Sequence, residues 1–439
     1  MKQLNSSTWV LLVGFAAILA ACSAKPTQPS GTGGTGNTTS NGGSGGESSS
    51  SSSSSGMGGA GGEGGSFIPP TGSGGGGGGT CDEGLPDKDN DGDGYTEMEG
   101  DCYDCDKNVN PGAVDVVAEP DAMGNVPDPV DENCNGEKDE PPPTCDSGLA
   151  LASEDPMDAA KAIGLCNFVK SAKWVLADGS PIPSDPTKLA NFHKGHGILP
   201  KFGTNNTPQE GVNMLMLSSG TARDKGHGES VYRTFDKNYT SNAPFGFPKA
   251  SPACPGVTTG LPHDATGVQL EINVPTNALS ASFDFQFFTY EWHDFICQQF
   301  NDFFVAHVEP FPMGQMDGNV AFDKNGNPIS VNNAFIDSCG CPGNPPGTCT
   351  AGGVPFVCSL GKNALAGTPF ESDLANPGWS HGSTGWLRTT MPVTPGATFR
   401  IRLVTYDSSD GNLDSSTLID NWQWYGKPGE VGTIQPPPK

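Results

Sequence analysis

The sequence predicts a mainly β protein: an antiparallel, jelly-roll-like β-sandwich that follows a small acidic module and a disordered, Gly/Ser-rich tether. Segments 268–274, 283–287 and 399–403 alternate apolar and polar residues, which is the period of strands with one face in a core. Segment 81–143 holds 20 acidic residues against three Lys and has few apolar side chains. Segment 23–80 is dominated by Gly, Ser and Thr, which cannot build a core.

The composition limits the partners. The 439 residues carry a formal charge of -26, from 23 basic and 49 acidic side chains, which argues against nucleic acid and against anionic lipid surfaces. Only 34% of the residues are hydrophobic, so a multi-pass membrane protein is not expected. The 13 Cys favour an oxidising compartment.

The N-terminus is typical of an export signal over residues 1–21. Its apolar run, Trp9–Ala21, is too short to span a bilayer. The run ends in Leu19-Ala20-Ala21-Cys22, which resembles the lipobox of bacterial lipoproteins. The resemblance implies that Cys22 is lipidated, and Ser23 after it implies sorting to the outer membrane. The alternative is a secretory signal followed by a chance Cys. We therefore expect a cell-surface protein that contacts the membrane only through its lipid anchor.

The remaining domain boundaries follow shifts in composition. Residues 22–80 form the lipidated Cys and the tether, whose r.m.s. reach is about 40 Å for a flexible chain of this length. Residues 81–143 form the acidic module, residues 144–427 the sandwich, and residues 428–439 a Pro-rich tail.

The acidic module is too small and too polar to fold by burial alone, so metal or disulfides must stabilise it. Residues 89–97, the first half-loop, place oxygen ligands at positions 1, 3, 5 and 9 of a calcium loop, with Gly94 at the sharp turn. Position 12 is Gly100 rather than Glu, so closure must come from Glu99, Asp101 or elsewhere. The ligands predicted here are Asp89, Asp91, Asp93, the Tyr95 carbonyl, Glu97 and Asp101.

A second copy lies at residues 131–136, the second half-loop, followed by Asp139 and Glu140. Its predicted ligands are Asp131, Asn133, Asn135 and Asp139. Because these ligands are hard oxygens without His, calcium is expected, with copper as the less favoured alternative. A solvated acidic linker with accidental spacing is the other possibility.

These residues, together with Asp101-Cys102 and Asn110-Pro111-Gly112-Ala113, resemble the metal-binding motif of MopE-type surface proteins. The chain departs from that motif where a middle Cys is expected: an insert over 115–129 lacks it, and Cys105 appears instead. The resemblance therefore leaves the disulfide pairing of the module open.

Two local features of the sandwich are predicted as well. Asp155 can cap a single helix that contains Pro156 in its first turn and runs to Leu165. Asn325-Gly326 favours a hairpin between 320–322 and 329–331, in preference to a third calcium site.

Three stretches of this domain resemble the choice-of-anchor L family of bacterial surface proteins. Asp155–Gly164 is similar to its opening helix, Phe285–Val305 to its central strands, and Gly382–Ser415 to its closing segment. The resemblance implies display on the cell surface and leaves the ligand open.

With Cys22 acylated, 12 Cys remain, which is consistent with six disulfides. Cys145 and Cys166 flank the predicted helix and are the favoured local pair. Cys339 and Cys341 are expected to reach other partners among Cys349, Cys358, Cys297 and Cys254. A redox role for Cys102 and Cys105 is the less favoured alternative to structural disulfides.

A second metal site is possible in the sandwich, because carboxylates crowd the matched segments. Its candidate ligands are Glu291, Asp302, Asp407, Asp410 and Asp414. A turn built from Asp, Ser and Gly is an equal alternative. His193, His196 and His227 suggest zinc or hydrolase chemistry only weakly, since no HExxH or GxSxG motif accompanies them.

The sequence thus predicts a non-enzymatic, calcium-stabilised surface lipoprotein without catalytic residues, whose sandwich binds an extracellular glycan or protein. Trp379, Trp386, Trp422 and Trp424 could stack on sugar rings, although core positions are commoner for such residues. The alternative is an extracellular hydrolase that acts on glycan or peptide substrates.

Overall fold

The computed structural model describes residues 85–116, 123–126, 128–230, 233–332, 335–340, 348–351, 354–371 and 381–436. The predicted signal peptide, Cys22, the tether and Trp379 lie outside these residues. None of the helices in the described ranges combines the length and the hydropathy that crossing a membrane requires.

Strands dominate the structure, as predicted. The strands are β1 Val169–Val175, β2 His196–Leu199, β3 Met214–Ser218, β4 Pro262–Asn273, β5 Ser280–Thr289, β6 Phe303–Glu309, β7 Ile329–Ser330, β8 Ser338–Cys339, β9 Thr348–Ala351, β10 Val354–Val357, β11 Gly382–Ser383, β12 Leu387–Pro392, β13 Thr398–Ser408, β14 Ser415–Tyr425 and β15 Gly432–Ile434. The helices are α1 Pro156–Lys161 and α2 Pro186–Lys194, and short 3-10 turns lie at Glu97–Glu99, Asn363–Leu365 and Pro369–Glu371.

Two antiparallel sheets form the sandwich. The five-stranded sheet has the order β1-β4-β13-β6-β7, and the eight-stranded sheet has the order β15-β12-β5-β14-β3-β2 with β11 and β8 attached beside β5. The three segments with period-two alternation coincide with the C-terminal half of β4, the middle of β5 and the N-terminal half of β13. The prediction of a mainly β, antiparallel sandwich is therefore confirmed.

The main core lies between the sheets. Apolar side chains of β4 and β13, such as Leu270 and Leu403, belong to the same buried cluster as Phe283 and Phe285 of β5. The Phe285 and Phe304 rings are 4.8 Å apart between centroids. Strand β5 is buried on both faces, because Phe288 joins a second cluster that residues 363–371 help to cover.

Helix α1 begins as the Asp-Pro signal predicts, but it ends at Lys161 rather than at Leu165. The Asp155 side chain accepts a hydrogen bond from the Met157 N–H, and Pro156 occupies the first turn. The prediction of a single helix was wrong, because α2 begins with the same signal: Asp185 accepts from the N–H groups of Thr187 and Lys188, and Pro186 follows it.

The predicted hairpin at Asn325-Gly326 is present only as a turn. Phe322 and Pro328 form an isolated bridge, and the Gly326 N–H donates to the Asp323 carbonyl. Ile329 and Ser330 pair instead with β6, so the strand on one side of the turn completes the five-stranded sheet.

Disulfides join Cys102 to Cys134, Cys145 to Cys166, Cys254 to Cys297 and Cys339 to Cys358. The Cys145–Cys166 pair is the one predicted. Since Cys102 pairs with Cys134, and Cys105 is itself disulfide-bonded, the two do not form a redox pair with each other.

Candidate functional site

The first half-loop is shaped by its own carboxylates. Asp89 accepts hydrogen bonds from the N–H groups of Gly92 and Gly94 at 2.6 and 3.1 Å, and Asp93 accepts from Tyr95 at 2.8 Å. Gly94 has a φ of 99°, which favours glycine. The chain therefore turns sharply at the position where a calcium loop requires it.

The second half-loop repeats this backbone. Asp131 accepts from Asn135 and Gly136 at 3.0 and 2.9 Å, and Asn135 accepts from Glu137 at 2.7 Å. Gly136 has a φ of 94°, close to that of Gly94. The sequence repeat is thus a repeat of conformation, in two segments joined through the Cys102–Cys134 disulfide next to them.

Carboxylate oxygens converge at the first half-loop. Asp91 belongs to two groups whose oxygens lie within 4.8 Å of one another, one with Asp89 and Asp104 and the other with Asp93 and Asp101. The sequence predicted four of these five acids and missed Asp104. Both Asp104 oxygens accept hydrogen bonds from Asn90, so this residue also fixes the loop.

Two of these oxygens are buried without a hydrogen-bond partner among the described residues: Asp91 Oδ2 and Asp101 Oδ2. Asp101 is only 4% exposed. Burial and then the charge of Asp93 raise the pKa of Asp91 to about 6, and burial is also the main cause that raises the pKa of Asp101. An unpaired anionic oxygen among like charges is costly, and a cation would relieve that cost.

Glu97 also has a buried oxygen, Oε2, without a hydrogen-bond partner in the described part of the chain. Glu97 is the last residue of the first half-loop and the first residue of the 3-10 turn Glu97–Glu99. The oxygen of Glu97 is not part of the two convergent groups.

The second half-loop contains no group of three convergent acids among the described residues, and its hydrogen bonds involve two acids that were not predicted as ligands, Asp115 and Glu140. Asp139 Oδ1 accepts from the Val130 N–H, so Asp139 closes the loop backbone. Glu140 Oε1 accepts from the side-chain amides of Asn133 and Asn135. Asp115 Oδ1 accepts from the Asn133 N–H.

Asp115 and Glu140 contact each other through their carboxyl groups. Burial and contact with Glu140 raise the pKa of Asp115 to about 7, whereas contact with Asp115 lowers the pKa of Glu140. Sequence reasoning missed this pair because Asp115 lies in the insert that breaks the motif. The Asp115 Oδ2 and Glu140 Oε2 atoms are buried without hydrogen-bond partners in the described ranges.

The module is attached to the sandwich at the turn between β4 and β5. Asn110 is fully buried and donates to Asp93 Oδ2 at 2.7 Å, while its Oδ1 accepts from the Thr276 hydroxyl at 2.7 Å. Asn277 exchanges two hydrogen bonds with the Val114 backbone. One side chain, Asn110, thus connects the first half-loop to the sandwich.

Gly112 allows this close approach. A Cβ at Gly112 would lie 2.6 Å from the Tyr95 hydroxyl and 3.0 Å from Thr276 Cγ2. Its carbonyl accepts from the Thr276 N–H at 3.0 Å. The Asn-Pro-Gly-Ala segment is therefore the docking segment of the module.

Within the sandwich, four of the five predicted acids lie buried near one another: Glu291, Asp302, Asp407 and Asp414, here the buried carboxylate cluster. Asp302 accepts from the Ser415 hydroxyl at 2.6 Å and from the Ser408 N–H at 3.3 Å, so it links β13 to β14. Both Asp407 oxygens are buried without a partner of good geometry among the described residues. Asp410 is half-exposed in the connecting loop.

Burial is the main cause that raises the pKa of every member of this cluster, and mutual repulsion adds to it. The pKa of Asp414 reaches about 7. The neighbouring Lys237 is buried and donates to the Ser218 and Asp264 carbonyls, and burial lowers its pKa to about 8. A cation at this cluster stays a prediction.

The choice-of-anchor L domain model matches residues 182–422, which is more than half of the chain. The chain belongs to this family. Membership indicates a β-rich, surface-associated protein. No curated protein sequence matches the chain. Helix α1 lies before the matched range, so the resemblance of Asp155–Gly164 to the family's opening helix stays a prediction.

Most of the choice-of-anchor L domain is the sandwich, and it contains the whole buried carboxylate cluster. The three His of the weak catalytic hypothesis also lie in it. His193 Nδ1 and His196 Nε2 are 2.9 Å apart, and His196 is buried and stacked on Trp174. His227 instead accepts from the Asp224 N–H. Among the described residues these His join no convergent ligand group.

Proposed function

We propose that the protein is a non-enzymatic, lipid-anchored binding protein of the outer membrane, in which calcium rigidifies the acidic module on a ligand-binding choice-of-anchor L domain. The observation that carries the proposal is the position of Asp91. It takes part in both convergent carboxylate groups, and its Oδ2 and that of Asp101 are buried without partners in the described part of the chain.

Calcium fits this site better than a softer metal. Every member of both groups is an Asp, and calcium takes six to eight oxygen ligands in flexible geometry, whereas copper prefers imidazole or sulfur. The Cys near the loops are in disulfides and are not available as thiolates. Copper is the less favoured occupant for this reason.

The anchor is supported by the lipobox-like Leu19–Cys22 and by the surface association that the family indicates. A Cys22→Ala variant should leave the membrane fraction while its signal is still processed. The hydrolase alternative draws no support from the described His residues, and a turnover screen on glycans and peptides would detect it.

The calcium proposal is tested by titrating the full chain with calcium in a calorimeter. We expect about two ions per chain, and Asp91→Asn should lower that number by about one. Asp87→Asn is the matched control, because Asp87 is exposed and outside both groups but carries the same charge. Equal binding by the two variants would contradict the proposal.

Hydrogen exchange gives an independent measure. Calcium should protect backbone amides of residues 85–143 and leave strands β4, β5 and β13 unchanged. If protection of the module is the same with calcium and with chelator, or if copper alone produces it, the calcium assignment fails.

A further inference from the structure

A cavity of about 540 Å³ lies between the acidic module and the sandwich. This volume is within the range of small-ligand pockets, and such clefts between structural units are common ligand sites. The cavity is lined by module residues between 111 and 116 and between 133 and 143, by the loop between α1 and β1, and by the end of β14.

One wall of the cavity is aromatic. Phe168, Trp424 and Tyr425 are half-buried lining residues, and the Phe168 and Trp424 rings meet edge to face at 6.1 Å. Trp422, another lining residue, is 3% exposed, and its Nε1 has no acceptor among the described residues. This wall therefore combines flat aromatic surfaces with one buried hydrogen-bond donor, the indole N–H of Trp422.

The module side of the cavity, here the polar wall, holds Asp115, Asn133, Asn135 and Glu140 beside apolar residues such as Pro111 and Pro141. Carboxylates accept hydrogen bonds and amides both donate and accept, so this wall can satisfy groups that do both. Asp115 and Glu140 contact each other, and Asp115 Oδ2 and Glu140 Oε2 accept no hydrogen bond from a donor in the described ranges.

The charges of the lining residues indicate which class of ligand the cavity can bind. The lining residues include two acids and neither Lys, Arg nor His, so phosphate and other anions are disfavoured. A ligand that needs an apolar face on one side and many hydroxyls on the other fits both walls. A saccharide ring has this character, whereas an apolar peptide segment would leave the polar wall unsatisfied.

We propose that this cavity is a saccharide site, in which a neutral sugar ring lies against Trp424 and Tyr425 and its hydroxyls contact Asp115, Asn133 and Glu140. The inference rests on the proposed function, because calcium at the second half-loop would fix this polar wall. Calcium coordination is often completed by water, which sugar hydroxyls can replace.

The test is binding of the full chain to a printed array of neutral oligosaccharides in calcium buffer, followed by calorimetry with the best binder. Trp424→Ala and Glu140→Gln should each weaken binding by at least about tenfold. Trp424→Phe, which keeps an aromatic face, should retain most of it and guards against misfolding of the Ala variant. Phe245→Ala is the control, since Phe245 is 64% exposed and is not a lining residue.

The outcomes separate this inference from the calcium proposal. Saccharide binding that is lost in chelator and in both cavity variants supports it. If calcium binds normally but no array saccharide binds, the saccharide site is wrong and the calcium site stands. If Trp424→Ala binds as well as Phe245→Ala, or if the chain selects peptides from a peptide array instead, the inference is overturned.

Discussion

The acidic module and the buried carboxylate cluster gather the same chemical group in opposite surroundings. In the module, the acids around Asp91 are ordered by backbone N–H groups of their own loop, and their oxygens converge within 4.8 Å. In the sandwich, Asp302 and Asp407 are fully buried, and no three oxygens of their cluster converge in this way among the described residues.

The comparison shows that the degree of burial determines how repulsion between neighbouring carboxylates is relieved. In the loop, convergent oxygens present a ready coordination shell, so a divalent cation is the natural counter-charge. In the sandwich, desolvation is the largest cause of the raised pKa values, so without a cation the acids take up protons instead. The direction in which the stability of the sandwich changes with pH should therefore reveal the contribution of the buried carboxylate cluster.

The largest expected effect is a fall in sandwich stability as the pH rises, measured in chelator. Burial raises the pKa values of Asp414, in the cluster, and of Asp420, in β14 outside it, from 3.8 to about 7. The folded state therefore binds more protons than the unfolded chain between these values. Stability is then highest near pH 4 and falls towards pH 7, by at most about 1.4 kcal/mol per pH unit for each group. Urea unfolding at several pH values measures it.

Asp407→Asn sharpens this prediction. The substitution removes the charge of Asp407 and keeps the shape of its side chain. Both Asp407 oxygens lack partners of good geometry in the described part of the chain. The variant should be more stable than the parent at pH 8 and should show a shallower pH dependence. Asp410→Asn, on the half-exposed loop, is the control that should change neither.

The next effect concerns the core. Phe285→Ala removes a fully buried ring that packs against Phe304, and it should lower the free energy of unfolding by about 3–5 kcal/mol. The module should lose its exchange protection together with the sandwich in this variant, because it docks on the β4–β5 turn. Removing calcium should release the module alone. If the module stays protected when the sandwich unfolds, the two regions fold independently.

A smaller effect is expected at the connection between the regions. Asn110→Ala deletes hydrogen bonds to Asp93 and Thr276 and leaves buried partners unsatisfied, at a cost of about 1–3 kcal/mol. Limited proteolysis of residues 85–143 should become faster, with the sandwich intact. Asn108→Ala is the control, because the Asn108 side chain bonds only within the module, to Asp106. Equal proteolysis of the two variants would contradict the role of Asn110.

The fold was largely predictable because its signals are local. Period-two alternation located parts of β4, β5 and β13, and an Asp-Pro pair located the start of α1. Helix α2 begins with the same pair, Asp185-Pro186. It could therefore have been predicted from the sequence in the same way as α1. The hairpin at Asn325-Gly326 failed because Ile329 pairs with Phe304 of β6 rather than with residues 320–322 across the turn.

The site was predictable only in part, for a similar reason. Asp89, Asp91, Asp93 and Asp101 follow a motif with fixed spacing, and the structure brings them together. Asp104 and Asp115 are not among the ligand positions of that motif. Their positions near the two half-loops depend on how the chain folds around the Cys102–Cys134 disulfide. The cavity joins segments far apart in sequence, which no spacing could indicate.

The smallest expected effect distinguishes the two half-loops. The first presents two convergent groups of three carboxylates, whereas the second offers two Asn amides beside Asp115 and Glu140, and calcium affinity rises with the number of charged ligands. The second half-loop should therefore bind calcium more weakly, and Glu140→Gln should weaken that binding by about fivefold without changing the tighter site. Glu137→Gln is the matched control, because Glu137 is exposed and only its backbone N–H bonds to the loop. A calcium titration that resolves two affinities measures both. If Glu140→Gln instead weakens the tighter site, the two loops act as one centre and the comparison between them fails.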